Sequence, residues 1–297
     1  MSKLATHSKT KEIIQKYDFR LTRSLGQNFL VDADILNKIV DAAEITREDI
    51  VFEVGTGIGT LTYELALRAK KVIAIEIDKN LIPILEETLR DVDNVEIVNQ
   101  DILKTDLNEL SLTYAEGKPI KVVANLPYYI TTAIIMKFLE SGIPLDLFVL
   151  MIQKEVAERI SAKPSTKDYG SLTVALQYYA ESELLCKVPR LAFIPPPNVD
   201  SSVIRLRARQ KKEVQVENEE LFFKVIRGSF SKRRKTIINS LSTYESFNKE
   251  QIASGLKKAG IDPKRRGETL TIDEFAKLTN CIDGERDPQL GEKIDKI

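Results

Sequence analysis

Ile50-Val-Phe-Glu-Val-Gly-Thr-Gly-Ile-Gly-Thr60 and, after a helix-like stretch, Lys71-Val-Ile-Ala-Ile-Glu-Ile77 are the segments on which the fold turns. The first begins as a short β-rich run and ends in glycines that open a predicted helix at 59–69; the second has the length and apolar character of a buried strand. Glycines at a strand-to-helix turn let the backbone bend sharply and approach a ligand, while the helix start offers free N–H groups. The spacing departs from a dinucleotide-binding loop, because Thr60 stands where the third glycine is wanted and Gly59 comes one residue early. No Gly-Lys-Ser/Thr follows, which disfavours a loop built to cradle phosphates.

Moving outward, the alternation continues. Strands are predicted at 95–99, 120–124 and 147–152, with helices at 81–90, 131–139 and 155–162, and two further helices upstream at 12–20 and 32–43. This spacing predicts an α/β fold, a Rossmann-like and mostly parallel sheet covered by helices on both faces. Beyond Tyr179 the pattern changes: 183–189 and 199–207 read as an antiparallel edge pair, joined by the proline-rich Phe193-Ile-Pro-Pro-Pro-Asn-Val199. Residues 209–220 carry seven charges in twelve positions and read as a linker. Helix-like stretches at 221–238, 249–259 and 272–278 predict a small all-α second domain. The expected division is therefore 1–208 (with 1–22 an N-terminal extension), a linker at 209–220, and 221–297, whose polar tail from Asp283 should fray.

Composition removes several functions. The 297 residues are 43% hydrophobic and 30% charged, a soluble globular balance. The longest apolar run, 147–152, falls far short of the roughly 20 residues that span a bilayer. The N-terminus has no hydrophobic core of a signal peptide, so a cytoplasmic protein is expected, with Cys186 and Cys281 as reduced thiols. His7 is the only histidine, which excludes a Ser-His-Asp triad and an HExxH zinc site. No metal is expected. Net charge is zero, yet residues 41–110 carry 16 acidic against 7 basic side chains, and 205–240 carry 11 basic against 4 acidic. The cations Lys232, Arg233, Arg234 and Lys235 form either a solvated helix face or a phosphate-binding surface.

Acids at strand ends sharpen the glycine-loop reading. Glu76, at the end of the second strand, is placed to accept the hydroxyls of a ribose. Asp101 follows the third strand and is placed to accept from an adenine amino group. With the loop at Gly55, they describe a site for an adenosine-bearing ligand at the carboxyl ends of the strands.

Asn125-Leu-Pro-Tyr128 follows the fourth predicted strand at the same rim. The proline stiffens the turn and holds Leu126 extended. The Asn125 amide oxygen and the Leu126 carbonyl then serve as fixed acceptors, with the Tyr128 ring beside them. That set suits alkylation of an exocyclic amino group, a poor nucleophile whose lone pair is delocalised into the base. Two acceptors on its N–H bonds favour the pyramidal nitrogen needed to attack a methyl sulfonium, and a stacked aromatic holds the base. Phe193 either supplies the opposite stacking wall for an extruded base or packs in the core.

Taken together, Leu25-Gly-Gln-Asn-Phe-Leu30, the glycine loop, Asn125-Leu-Pro-Tyr-Tyr129, Gln153-Lys-Glu-Val156, Tyr169-Gly-Ser171 and 193–202 resemble the bacterial small-subunit ribosomal RNA adenine N6-dimethyltransferase family. The resemblance implies S-adenosylmethionine as methyl donor, held by Asn28, Leu30, Gly55, Glu76, Asp101 and Asn125. It implies dimethylation of two adjacent adenosines in a hairpin loop near the 3′ end of 16S rRNA, within an immature 30S subunit. A monomer that uses neither DNA nor membrane is expected. On the residues alone, Gln27-Asn28 would be a helix N-cap region. The resemblance also gives Lys264-Arg-Arg266 and the basic segment Lys224–Asn239, with its 232–235 run, a role as RNA-backbone contacts. Macrolide-resistance methyltransferases of the large subunit share the loop motifs; a non-catalytic RNA-binding factor would not need Glu76, Asp101 and Asn125, and an oxidoreductase would need the missing glycine.

Overall fold

The structure, a computed structural model, describes residues 4–22, 25–232, 234–244 and 247–284. These fall into two compact units, one made of Met1–Ala157 with Glu181–Ala208, the other of Glu158–Ala180 with Arg209–Ile297.

The first unit begins with helix α1 (His7–Lys16), a two-residue strand β1 (Phe29–Leu30) and helix α2 (Ala33–Ala42), which Asp32 caps by accepting from the amides of Asp34 and Ile35. The repeating βα portion follows as β2 (Ile50–Val54), α3 (Thr60–Ala66), β3 (Lys71–Glu76), α4 (Ile82–Thr88), β4 (Val95–Asn99), α5 (Leu107–Ala115), β5 (Ile120–Asn125), α6 (Thr131–Glu140) and β6 (Leu145–Gln153). After α7 (Lys154–Ile160) and α8 (Ser171–Tyr179), the chain returns to the sheet as β7 (Ala180–Val188), forms the short β8 (Phe193–Ile194), and closes with β9 (Ser201–Ala208).

Seven strands make one sheet in the order β4-β3-β2-β5-β6-β9-β7. The pairs from β4 to β6 are parallel, and β9 runs antiparallel to β6 with Gln153 opposite Ser201. The fold class expected from the sequence is the one observed. Strands β2 and β5 are buried almost throughout because both faces are covered. Val51, Val72, Val123, Val149 and Val203 join Leu36, Ile39 and Leu65 of α2 and α3 in the main core. Each such side chain contributes about 1.5–3 kcal/mol on burial. The order reverses between β2 and β5, so the loops after β2 and β5 open a crevice at their carboxyl ends.

The second unit holds α8 with α9 (Glu219–Phe230), α10 (Ile237–Leu241), α11 (Lys249–Ala259) and α12 (Ile272–Asp283). Its core gathers Tyr178, Phe222, Val225, Leu256 and Phe275. Three expectations change here. Residues 158–180 belong to this unit, since Tyr169, Val174 and Tyr178 are buried in its core and the Tyr169 hydroxyl donates to the Leu270 carbonyl at 2.8 Å. Residues 209–220 are no free linker: Val214 is buried, the Arg209 amide donates to the Tyr179 carbonyl at 2.8 Å, and the Lys212 ammonium lies 4.8 Å from the centre of the Tyr178 ring. The helix expected at 221–238 is two helices, α9 and α10. Gly228 packs so closely on Leu241 and Tyr244 that a β-carbon there would meet each at 2.9 Å.

Among the described residues no helix is long and apolar enough to cross a membrane, and no cluster of His, Cys, Asp and Glu is placed to hold a metal. Cys186 and Cys281 are free thiols.

Candidate active site

The crevice is lined by residues from every loop at the carboxyl rim of β2 to β5 and by the segment around β1. Gly55, directly after β2, has φ +75°, and Gly59, the N-cap of α3, has φ +84°, both in the region that side chains avoid. At Gly59 crowding adds to this, because a β-carbon would sit 2.9 Å from Thr88 Oγ1 and 3.2 Å from Leu85. The loop therefore lies flat against α4 and leaves its other side to the crevice.

Glu76 ends β3 and is only 5% exposed. Its Oε2 accepts from the Gly57 amide (3.1 Å) and the Thr56 hydroxyl (3.3 Å), and its Oε1 accepts from the Asp78 amide (2.9 Å). Burial raises its pKa, while these three donors favour the charged form. Three donors use most of the roughly four lone-pair sites of a carboxylate, so Glu76 both shapes the glycine loop and keeps about one position for a ligand hydroxyl. Asp101 sits just past β4 and lines the crevice, with Oδ1 accepting from the Leu103 amide at 3.0 Å. Glu53, one residue before the end of β2, is almost wholly buried, and burial followed by the nearby Glu76 charge pushes its carboxyl well above the usual range.

Asn125 is the last residue of β5, opposite Met151 of β6. Its Nδ2 donates to the backbone carbonyl of Asn28 at 3.0 Å. A carbonyl can only accept, so the amide nitrogen is fixed toward Asn28 and the amide oxygen is held on the other side as an acceptor. Asn28 in turn donates from its own Nδ2 to the Gly26 carbonyl at 2.8 Å. Leu126 is buried, its amide donating to the Met151 carbonyl at 3.1 Å, which anchors the start of the turn to the sheet. Tyr128 is half-buried at the crevice wall, its hydroxyl 2.5 Å from Ser201 Oγ. Burial raises the phenol's pKa, so it is protonated at neutral pH.

The structure brings together Asn28, Leu30, Gly55, Glu76, Asp101, Asn125, Leu126 and Tyr128 around one crevice. Phe193 is the exception. Its side chain has no exposed surface, and β8 pairs antiparallel with β1 so that Phe193 faces Leu30 in the main core. Phe193 therefore supports the crevice from behind instead of offering a stacking face, because a ring packed on both sides has none left for a base. His7, exposed at the start of α1, is not among the lining residues.

Sequence reasoning missed Gln27, which accepts from the Thr22 amide and donates to Asp78 Oδ2, both at 2.7 Å. Asp78 itself is buried. An acid two positions beyond Glu76 was the available signal. It also missed Tyr129, a residue 59% exposed whose ring lies over Gly26 at the crevice.

The donor set fits a cationic adenosine ligand. Three carboxyls (Glu53, Glu76 and Asp101) line the crevice, and no Lys, Arg or His does among the described residues. A family profile described as Ribosomal RNA adenine dimethylase matches residues 18–283. The chain belongs to that family. It is 57% identical over 282 residues to Ribosomal RNA small subunit methyltransferase A of Clostridioides difficile, covering 95% of this chain and 98% of that one. To the protein of the same name from Bacillus mycoides it is 54% identical over 286 residues, covering 95% and 98%. Among solved structures, a dimethyladenosine transferase from Plasmodium falciparum superimposes with a TM-score of 0.71 at 29% identity, over 84% of this chain and 95% of the other. The 23S rRNA methyltransferase ErmE superimposes with a TM-score of 0.66 at 30% identity, over 86% and 100%. The family member described here is a methyltransferase that uses S-adenosylmethionine, and Asn28, Leu30, Gly55, Glu76, Asp101 and Asn125, the residues expected to hold it, all line the crevice.

In the helical unit, Lys232, Arg234 and Lys235 are exposed; Arg233 lies outside the described residues. Lys232, Arg234 and Lys235 lie between α9 and α10, where the Lys235 amide donates to the Lys232 carbonyl at 3.0 Å, and so not on a helix face. The Ile237 amide donates to the Arg265 carbonyl at 2.7 Å, which lays the 262–266 turn alongside. Lys264 and Arg266 are exposed there. Arg265 instead reaches both Glu274 oxygens (2.5 and 2.9 Å) and the Thr269 carbonyl (2.6 Å), a structural clamp.

Proposed function

We propose that this enzyme dimethylates the N6 amino groups of two adjacent adenosines in a hairpin loop near the 3′ end of 16S rRNA, in an immature small ribosomal subunit in the cytoplasm, working as a monomer. The observation that carries the reading is Asn125: an amide whose nitrogen is committed to the Asn28 carbonyl presents its oxygen as a fixed acceptor at the crevice. S-adenosylmethionine, when bound, supplies an electrophilic methyl group on a sulfonium. The protein's work is to hold a poor nucleophile in line with it. Asn125 and the Leu126 carbonyl accept the two N–H bonds of the adenine amino group and draw its lone pair out of conjugation. Tyr128 holds the extruded base by stacking, worth about 1–3 kcal/mol. Such preorganised acceptors need no imidazole base, in keeping with a chain whose single histidine lies elsewhere.

The exposed cations of the two adjoining turns in the helical unit support binding to the RNA backbone. Large-subunit RNA is the competing substrate, since ErmE shares the fold over its full length. The names and identities of the small-subunit relatives favour 16S rRNA. Incubation of the protein and labelled S-adenosylmethionine with unmethylated 30S or 50S particles, followed by nuclease mapping, tests this directly. Label on adjacent adenosines of 16S rRNA is expected; label on 50S particles alone overturns the assignment. Sedimentation of the free enzyme at one chain's mass of 33.6 kDa tests the monomer.

A further inference from the structure

We propose that Ser201 is a positioning residue for methyl transfer, setting the plane of the Tyr128 ring through the hydrogen bond between their hydroxyls. This rests on the reading of Tyr128 as the base-stacking ring. The two residues are 73 positions apart, yet their hydroxyl oxygens are 2.5 Å apart. Tyr128 stands on a turn, and its ring is only half-buried, so packing alone does not fix its tilt. Ser201 is the opposite kind of residue, wholly buried and the first of β9.

Its location is held from three directions. Ser201 is paired with Gln153 at the end of β6. The preceding carbonyl of Asp200 accepts from the Lys154 amide at 3.0 Å, and Asp200 Oδ1 accepts from the Arg190 amide at 3.0 Å. A hydroxyl on so fixed a strand start is a reference point against which a tyrosine on a turn can be set. Stacking tolerates sliding of the base but not rotation of the ring plane, because tilt removes contact area and shifts the amino group away from Asn125. Displacement of about 1 Å in a reacting group can cost a hundredfold in rate. Reversal of β9 against β6 thus serves the site, since an antiparallel β9 begins at the rim where the parallel strands end.

The test compares Tyr128→Ala, Tyr128→Phe, Ser201→Ala, the Tyr128→Phe/Ser201→Ala double variant and Ser201→Thr, in single-turnover methylation of unmethylated 30S particles. Thermal midpoints and S-adenosylmethionine affinity are measured in parallel. Tyr128→Phe and Ser201→Ala should each lower the rate about tenfold, and the double variant should lose no more than either, because both remove one bond. Affinity for S-adenosylmethionine and for the particle should stay within about twofold, and Ser201→Thr, which keeps the hydroxyl, should recover most of the rate. Full activity in Ser201→Ala, losses that multiply in the double variant, or a loss carried by cofactor affinity would overturn the proposal. If Tyr128→Ala is itself fully active, the stacking reading fails instead, so the two failures are separable.

Discussion

The crevice of the α/β unit and the paired turns of the helical unit are built in opposite ways. The crevice is concave, lined by carboxyls with no cation among the described residues, and assembled from residues as distant as Asn28 and Asn125. The turns are exposed and basic, and most of their cations come from two short runs. A concave, preorganised site can act on what differs between ground and transition states, whereas exposed cations meeting phosphates contribute affinity without regard to the chemistry. Under the proposed function the contrast predicts a division of labour: the crevice sets the rate, and the turns set particle affinity.

Asn125→Ala should break that division most plainly if it is wrong. Loss of the fixed acceptor should lower single-turnover methylation by about a hundredfold or more, with S-adenosylmethionine affinity changed only a few-fold. Undiminished turnover would remove Asn125 from the mechanism. Replacing Lys232, Arg234 and Lys235 with Glu should do the reverse, weakening particle binding by at least about tenfold and lowering the slope of log affinity against log salt by about 2. An unchanged salt titration would return these side chains to the role of a solvated surface.

Two smaller effects sharpen the comparison by separating each site from its scaffold. Gly59→Ala places a β-carbon against Thr88 at a left-handed backbone position, and should cost about 1–3 kcal/mol of stability while also weakening S-adenosylmethionine binding. Calorimetry and a binding titration on the same sample check both. Arg265→Ala should cost the helical unit about 1–2 kcal/mol with no change in salt dependence, whereas Lys264→Ala should do the opposite. The pH dependence has a definite sign. Arg265 holds the Glu274 carboxyl below its ordinary value, so the pair stabilises the folded protein at pH above the unfolded carboxylate range. That contribution is lost as pH falls through the lowered folded value. The melting difference between wild type and Arg265→Ala should therefore shrink in acid and stay constant from pH 6 to 8.

Much of this was legible in the chain. The βα alternation from β2 to β6 showed because buried parallel strands are near-continuous apolar runs, and the glycine loop because its backbone demands leave few other residues. The helices at Leu107–Ala115 and Ser171–Tyr179 escaped notice, the first because its apolar residues do not form a clear stripe, the second because its buried face includes Thr173 and Tyr178. The charged stretch at 209–220 read as a linker because its few buried groups, such as Val214, are scattered among solvated ones.

Local order alone determined the fold class, the rim position of Gly55, Glu76, Asp101 and Asn125, and the basic character of 232–235, since each depends on neighbours within a few residues. Tertiary structure alone decided that Phe193 faces the core, that Asn28 acts on Asn125 through its backbone, and that Ser201 meets Tyr128. The reason is physical: hydrogen bonds and packing across 73 to 163 positions form only once the sheet order and the β1–β8 pairing bring those segments side by side, and no periodicity along the chain encodes that meeting.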